Sequence, residues 1–296
     1  MARRNPVSIR SLGSLTALCG ALVAMAPAQA GVVLSYPSFA GACGTSLTCI
    51  GNTAVAGTAL RVTPSAGGQS GAGYSNTAIT LGANATFSTT FQFQITNAIG
   101  IAPADGFTFV VAANTSGLGS SGGGLGYAGV NNSVAIEFDT FNNGSVPTEP
   151  NSNHVGVDVN GSLASQAVAT PYGVATCDFS PSGYLKPGCM SNGNIWTATI
   201  TYDGATQLLD MFLQDGSAAT QHIISGLSIN IGAALGTNTA FVGFTSGTGA
   251  GAANHDILNW RLANDTSITG NVPEPGSLAL GGLALAALGL SRRRRG

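Results

Sequence analysis

The sequence predicts an all-β protein, an antiparallel β-sandwich, and three observations carry that expectation. Between residues 31 and 270 no amphipathic helix of any length can be traced. Short runs rich in Val, Ile, Thr and Phe recur instead, bounded by Gly, Asn and Ser. Charged residues make up 7% of the chain while Gly numbers 43, a composition of strands and turns and not of helices. Many short strands at this spacing suit two packed antiparallel sheets. No internal repeat is evident, which sets propellers and solenoids aside.

Residues 1–30 begin with Arg3, Arg4 and Arg10, run apolar from Leu12 to Met25 and close on Ala28-Gln29-Ala30. A basic start, a short apolar stretch and a small-residue cleavage site make a secretory signal peptide. A spanning helix is excluded by the length of the stretch and by Pro27. In the domain that follows, 85–95 alternates, with Phe87, Phe91, Phe93 and Ile95 on one face. Further strands are expected over 107–111, 134–139, 155–159, 196–202, 208–213, 241–244 and 256–262. Trp196 and Trp260 fall at strand positions and are expected in the core. His222 and His255 show no partners in the sequence and are expected to be structural.

At the other end, Val272-Pro273-Glu274-Pro275 precedes an apolar run from Leu278 to Leu290 and then Arg292 to Arg295. The apolar run is shorter than the ~20 residues of an unstrained spanning helix, and the arginines would stay cytoplasmic. Motif, helix and arginines in that order resemble the PEP-CTERM sorting tail of Gram-negative bacteria. The resemblance implies cleavage by a membrane sorting protease of the exosortase type and delivery to the cell surface, outer membrane or extracellular matrix. An ordinary C-terminal anchor is the alternative. The expected layout is therefore a signal peptide at 1–30, a sandwich at 31–270 and a sorting tail at 271–296, with the membrane met only through that tail.

Seven of the ten basic residues lie in these two ends. The domain between them keeps eleven acidic residues against Arg61, Lys186 and Arg261. Such a balance excludes nucleic acid as a partner, since that needs a basic footprint. Four cysteines remain there, Cys43, Cys49, Cys177 and Cys189, and an even number in an exported chain favours disulfides. Four cysteines allow three connectivities, and the one made of the two local bonds, Cys43–Cys49 and Cys177–Cys189, closes short loops and demands no particular fold. A four-cysteine zinc site lacks the short knuckle spacings it would need.

The stretch from Glu137 to His154 carries the chemistry. Glu137 and Asp139 are two apart on a strand, so both carboxylates share a face. Side by side they repel unless a cation lies between them. Phe141-Asn142-Asn143-Gly144 can offer a carbonyl and an amide oxygen, Glu149 a third carboxylate, His154 an imidazole. Oxygen donors suit calcium, while carboxylates with one imidazole suit manganese or a similar transition ion.

Val134-Ala135-Ile136-Glu137-Phe138-Asp139-Thr140-Phe141, then Asn143, Glu149-Pro150 and His154-Val155-Gly156-Val157-Asp158-Val159-Asn160, resemble the metal-binding segment of the legume lectins. They are similar also to the wider L-type, concanavalin A-like lectins. Ala102-Pro103-Ala104-Asp105-Gly106-Phe107, Gly122-Gly123-Gly124-Leu125-Gly126 and Val242-Gly243-Phe244 through Thr248-Gly249 to Trp260 resemble further parts of that fold, in the same order. The resemblance implies a non-enzymatic lectin whose partner is a glycan or exopolysaccharide. It assigns Glu137, Asp139, Glu149 and His154 to the transition ion, and Asp139, the Phe141 carbonyl, Asn143 and Glu149 to calcium. For sugar it assigns Asp105, the Gly123 N–H, the Asn143 amide, Phe141 as a stacking ring, and the backbone of Ala250 and Gly251. It also implies a cis Ala104–Asp105 peptide. Glu149 stands where the family usually has aspartate.

Two other functional classes share parts of this pattern. Some glycoside hydrolases share this architecture and carry Glu-x-Asp-x-(x)-Glu on one strand. Here Phe141 or Asn142 stands at the acid/base position, so the second carboxylate of a hydrolase pair is missing. A structural or adhesive matrix protein would need no intact pocket, and Asp105 would then be dispensable.

Overall fold

The computed structural model describes residues 31–80, 86–144, 149–177 and 180–264. The expected signal peptide and sorting tail lie outside these residues. Two eight-stranded antiparallel sheets form the domain, as the sequence predicts. The first sheet runs Gln221–Ser228, Leu208–Asp215, Trp196–Asp203, Phe87–Gly100, Gly251–Ala263, Ala59–Thr63 and Ala54–Ala56, with Val32–Tyr36 also on Gly251–Ala263. The second runs Ala167–Ala169, His154–Val159, Ser133–Asp139, Gly106–Ala112, Thr239–Gly247, Ser70–Ser75 and Leu47–Gly51, with Ile79–Thr80 also on Thr239–Gly247. Among the described residues the α-helices are Pro181–Tyr184 and Ile231–Leu235, and none is long and apolar enough to cross a membrane.

Alternation builds the core between the sheets. Phe87, Phe91, Phe93 and Ile95 all point inward and are buried, while Thr90, Gln92 and Gln94 between them face out. Phe91 meets Phe244 edge-on at 5.0 Å and stacks on Phe109 at 5.9 Å, both from the second sheet. Phe93 meets Phe107 edge-on at 4.9 Å, and Phe107 stacks on Phe138 at 4.6 Å. Trp196 and Trp260 are fully buried, at the core positions expected for them. The outer face of the second sheet holds a smaller cluster, in which Tyr127 and Val130 cover Tyr74, Val110 and Ala135.

Both local disulfides are present, Cys43–Cys49 and Cys177–Cys189. The described ends of the domain meet, since Val32 pairs with Ala263 and the Gly31 N–H donates to Asn264 Oδ1 at 2.9 Å. His255 is buried, with Nδ1 2.9 Å from Thr63 Oγ1, and burial pushes it down to about 3. His222 has a partner the sequence did not show, Asp210 at 2.7 Å, and it stacks on Phe212.

Because Phe91 touches aromatic rings from both sheets, Phe91→Ala is expected to destabilise the domain by about 3–5 kcal/mol. A lowered denaturant midpoint with an unchanged slope checks this.

Candidate functional site

The Ser133–Asp139 strand sorts its side chains by alternation. Ile136 and Phe138 enter the aromatic core, so Glu137 and Asp139 are turned to the opposite face. The His154–Val159 strand pairs with it in a register that sets His154 opposite Asp139 and Gly156 opposite Glu137. Glycine at 156 leaves room for a carboxylate: a Cβ there would overlap Glu137 Oε1 and Ser165 Oγ. Ligand atoms of Asp139, Glu149 and His154 all lie within 4.8 Å of one another, and His154 Nε2 is 3.3 Å from Glu137 Oε1. The loop after the strand curls back, with the Phe141 N–H donating to Asp139 Oδ1 at 2.7 Å and the Asn143 N–H to Glu149.

The electrostatics of this group are those of a crowded acidic cluster with a single imidazole to offset it. Burial pushes Asp139 well above the carboxylate range, and the charges of Glu149 and Glu137 push it further. Glu149 rises to about 7, first through burial, against the pull of His154. Burial lowers the His154 imidazole, but its contacts with Glu137 and Glu149 outweigh this and raise it. Asp158, one alternation beyond Gly156, is pushed up to about 9 by burial and by the Glu137 charge. Glu149 Oε2 is buried without a hydrogen-bond partner among the described residues.

Three carboxylates and one imidazole fit a transition ion. The oxygens of Asp139 and Glu149, with the carbonyl of Phe141 and the amide of Asn143 on the same loop, fit calcium. His154 Nδ1 lies 3.0 Å from the Asn151 carbonyl. An N–H donated there fixes the ring, and in its neutral form turns the Nε2 lone pair toward the carboxylates, the arrangement that suits a histidine to hold a metal.

Beside this cluster lies Asp105, nearly fully buried and preceded by a cis Ala104–Asp105 peptide. The end of the Ser133–Asp139 strand fixes its backbone. The Thr140 N–H donates to the Asp105 carbonyl at 2.9 Å, and Thr140 Oγ1 donates to the Pro103 carbonyl at 2.6 Å. Burial pushes the Asp105 carboxyl up to about 6, while hydrogen bonds from the Asn143 side chain and the Gly249 N–H pull it down. Among the described residues its Oδ2 has no hydrogen-bond partner, which leaves a buried acceptor open. The Gly122–Gly124 turn is tied to the far loop through the Gly122 N–H, which donates to the Thr248 carbonyl at 3.0 Å. Any side chain at Gly123 would overlap the Asn143 side chain, so glycine there is dictated by close approach.

The structure thus brings Asp105, Asn143 and Gly123 to one place, with Phe141 half-buried beside Asn143. Ala250 is exposed and Gly251 buried, the latter paired with Gly100. Three residues to which the sequence reading gave no role join the site: Gly249 on Asp105, Asn151 on the imidazole, and Asp158 beside Glu137. The glycine-rich stretch at 247–251 signals a close approach but not which residue makes it.

Residues 32–275 match the legume lectin domain. The chain belongs to that family. Residues 271–295 match the PEP-CTERM protein-sorting motif. Among curated relatives, this lectin-family chain is similar to the L-type lectin-domain containing receptor kinase VIII.1 of Arabidopsis thaliana. The two are 30% identical over 183 residues, 60% of this chain and 24% of that protein. It is also similar to the lectin alpha chain of Lablab purpureus, 31% identical over 198 residues, 64% of this chain and 63% of that one. It therefore spans about a quarter of the kinase and less than two thirds of the Lablab protein. Among solved structures it is similar to peanut lectin with a 9mer peptide, at TM-score 0.65 and 23% identity over 80% of this chain and 97% of that one. The lectin from Bauhinia forficata in complex with GalNAc gives TM-score 0.63 and 22% identity over 79% and 98%. At these identities the structures speak for the fold, the concanavalin A-like β-sandwich.

The raised carboxyls set a pH dependence for the metal-free lectin domain. Glu149 holds its proton in the folded chain to about pH 7 and Asp105 to about pH 6, whereas unfolded carboxyls release theirs near pH 4. Between those limits the native state binds more protons, so stability falls as pH rises. In a chelator the melting temperature should fall from pH 5 to pH 7.5. With calcium and manganese present the fall should shrink to the part set by Asp105, because the cations take the place of the proton on Glu149.

Proposed function

We propose that the domain is a non-enzymatic, metal-dependent carbohydrate-binding module that acts outside the cytoplasm. The observation that carries this reading is the convergence of a buried, open acceptor on Asp105 with the Asn143 amide and the Gly122–Gly124 turn, directly beside a carboxylate–imidazole cluster suited to cations. Glu137, Asp139, Glu149 and His154 would hold a transition ion, and Asp139, the Phe141 carbonyl, Asn143 and Glu149 would hold calcium. Bound cations supply the positive charge that the cluster lacks. The rest is done by the chain: Asp139 and Glu149 anchor the 140–144 loop, which presents the Asn143 side chain to Asp105.

A sugar brings several hydroxyl donors and an apolar C–H face. An ionised Asp105 accepts from two hydroxyls at once, the Asn143 amide and the Gly123 N–H donate, and the Phe141 ring offers an apolar surface. One curated relative is named a lectin and the other a receptor kinase that contains an L-type lectin domain, and one structural neighbour is a complex with GalNAc, which supports the same class of ligand. The PEP-CTERM match supports exosortase-type processing and placement at the surface or in an exopolysaccharide matrix.

Asp105→Asn tests the pocket. The amide puts a donor where an acceptor is needed, and charge-assisted hydrogen bonds worth about 1.5–3 kcal/mol each are lost. A millimolar site holds only about 4 kcal/mol in total, so binding should disappear from titrations of a glycan-array hit. Thermal melts in calcium at neutral pH should show the variant folded, at or above the wild-type melting temperature, because the buried Asp105 charge is gone. Equal affinity in both proteins would place the pocket elsewhere and favour an adhesive role. Intact mass of surface material should lack the apolar run and its arginines, and recovery of the Arg292–Arg295 peptide there would favour a permanent anchor.

A further inference from the structure

Resting on the metal reading above, we infer that the turn carrying His154 is set by a brace reaching across from the first sheet, with Asn153 as its positioning residue. The imidazole is oriented by the Asn151 carbonyl, 3.0 Å from Nδ1, so the ring goes where that turn puts it. The Asn153 N–H closes the turn on Asn151 Oδ1 at 2.9 Å. Asn151 Nδ2 ties it outward to Thr170 Oγ1, also at 2.9 Å. Asn153 is fully buried and uses both ends of its amide. Its Nδ2 donates to the Val174 and Gly188 carbonyls, each at 2.8 Å, and its Oδ1 accepts the Met190 N–H at 3.0 Å. A reversed amide would set oxygen against two carbonyls, so the network allows one orientation.

The segment that Asn153 grips is itself held from behind. Cys189 is bonded to Cys177, whose N–H donates to Ser152 Oγ at 3.2 Å. The Gly188 N–H donates to Asp215 Oδ2 at 2.9 Å. Asp215 ends the Leu208–Asp215 strand, is buried, and also accepts from Asn192 Nδ2 at 2.8 Å and Asn194 Nδ2 at 2.7 Å. One carboxylate on the first sheet therefore fixes Gly188. Gly188 fixes Asn153, and Asn153 fixes the turn from which His154 projects on the second sheet. Partners that orient a ligand histidine typically carry ~10–100-fold of metal affinity.

A tie that served stability alone would lower the melting temperature and leave the folded protein's metal affinities unchanged. A positioning residue acts through the imidazole, and so on the transition ion more than on calcium, whose expected donors are oxygens of Asp139, Phe141, Asn143 and Glu149. The test is calorimetric titration of Mn2+ and of Ca2+ into metal-free wild type and Asn153→Ala, each well below its melting temperature, with electron paramagnetic resonance of the bound manganese. The expected result is Mn2+ binding weaker by about tenfold, an altered manganese spectrum, and a smaller change for calcium. Equal Mn2+ affinity with an unaltered spectrum overturns the brace and leaves the metal reading standing. A wild type that binds neither ion overturns both. If Asn153→Ala does not fold, the double variant Cys177→Ser, Cys189→Ser frees the gripped segment while keeping Asn153. Weakened Mn2+ binding there supports the brace, and unchanged binding overturns it.

Discussion

Glu137, Asp139 and Glu149 crowd together on the outer face of a sheet whose inner face is filled with phenylalanine, and the one base among them is His154. Water is largely excluded from Glu137 and Asp139, so their charges are not screened as they would be on an open surface. Such a cluster has two ways to persist near neutral pH: it holds protons, or it holds cations. The raised carboxyls of Asp139, Glu149 and Asp158 show how strongly the geometry resists full ionisation. What settles that charge also settles the loop from Thr140 to Gly144. That loop is tied back through Asp139 and Glu149, and it presents Asn143 to Asp105.

The sandwich makes this crowding possible. A strand that alternates Ile136, Phe138 with Glu137, Asp139 anchors one face in a dry core and displays the other without freedom to relax. Phe138 stacks on Phe107 at 4.6 Å, and Phe107 lies two residues beyond Asp105, so one aromatic contact locks both halves of the site to the same floor. Thr140 then joins the halves directly through the Pro103 and Asp105 carbonyls. The glycines at 123 and 156 do the complementary work of allowing a neighbouring side chain into space that a Cβ would fill.

Strands built on alternating large residues, such as Phe87–Gly100 and Trp196–Asp203, were legible because their period shows without knowledge of partners. Ser70–Ser75 was hidden, since its Gly, Ala and Ser give no periodic signal. It is buried because neighbouring strands flank it and a loop covers its outer face. Gln221–Ser228 was not read at all, being an edge strand with register shifts against Leu208–Asp215. That pairing also hid the bond between His222 and Asp210. At the site, Glu137 and Asp139 could be found from a two-residue spacing and His154 from its place opening the next strand. Gly249, Asn151 and Asn153 could not, because their roles depend on how distant turns approach, and nothing local in the sequence records that.

The claim on which the rest turns is that cations hold the sugar pocket in shape. The direct measurement is a glycan array probed with the same protein twice, once in calcium and manganese and once in excess EDTA. The two samples would be kept at a temperature where circular dichroism shows both folded. A metal-held pocket predicts discrete glycan signals in the first sample and their loss in the second, with recovery when the ions are restored. Undiminished binding of the same glycans in EDTA would contradict it.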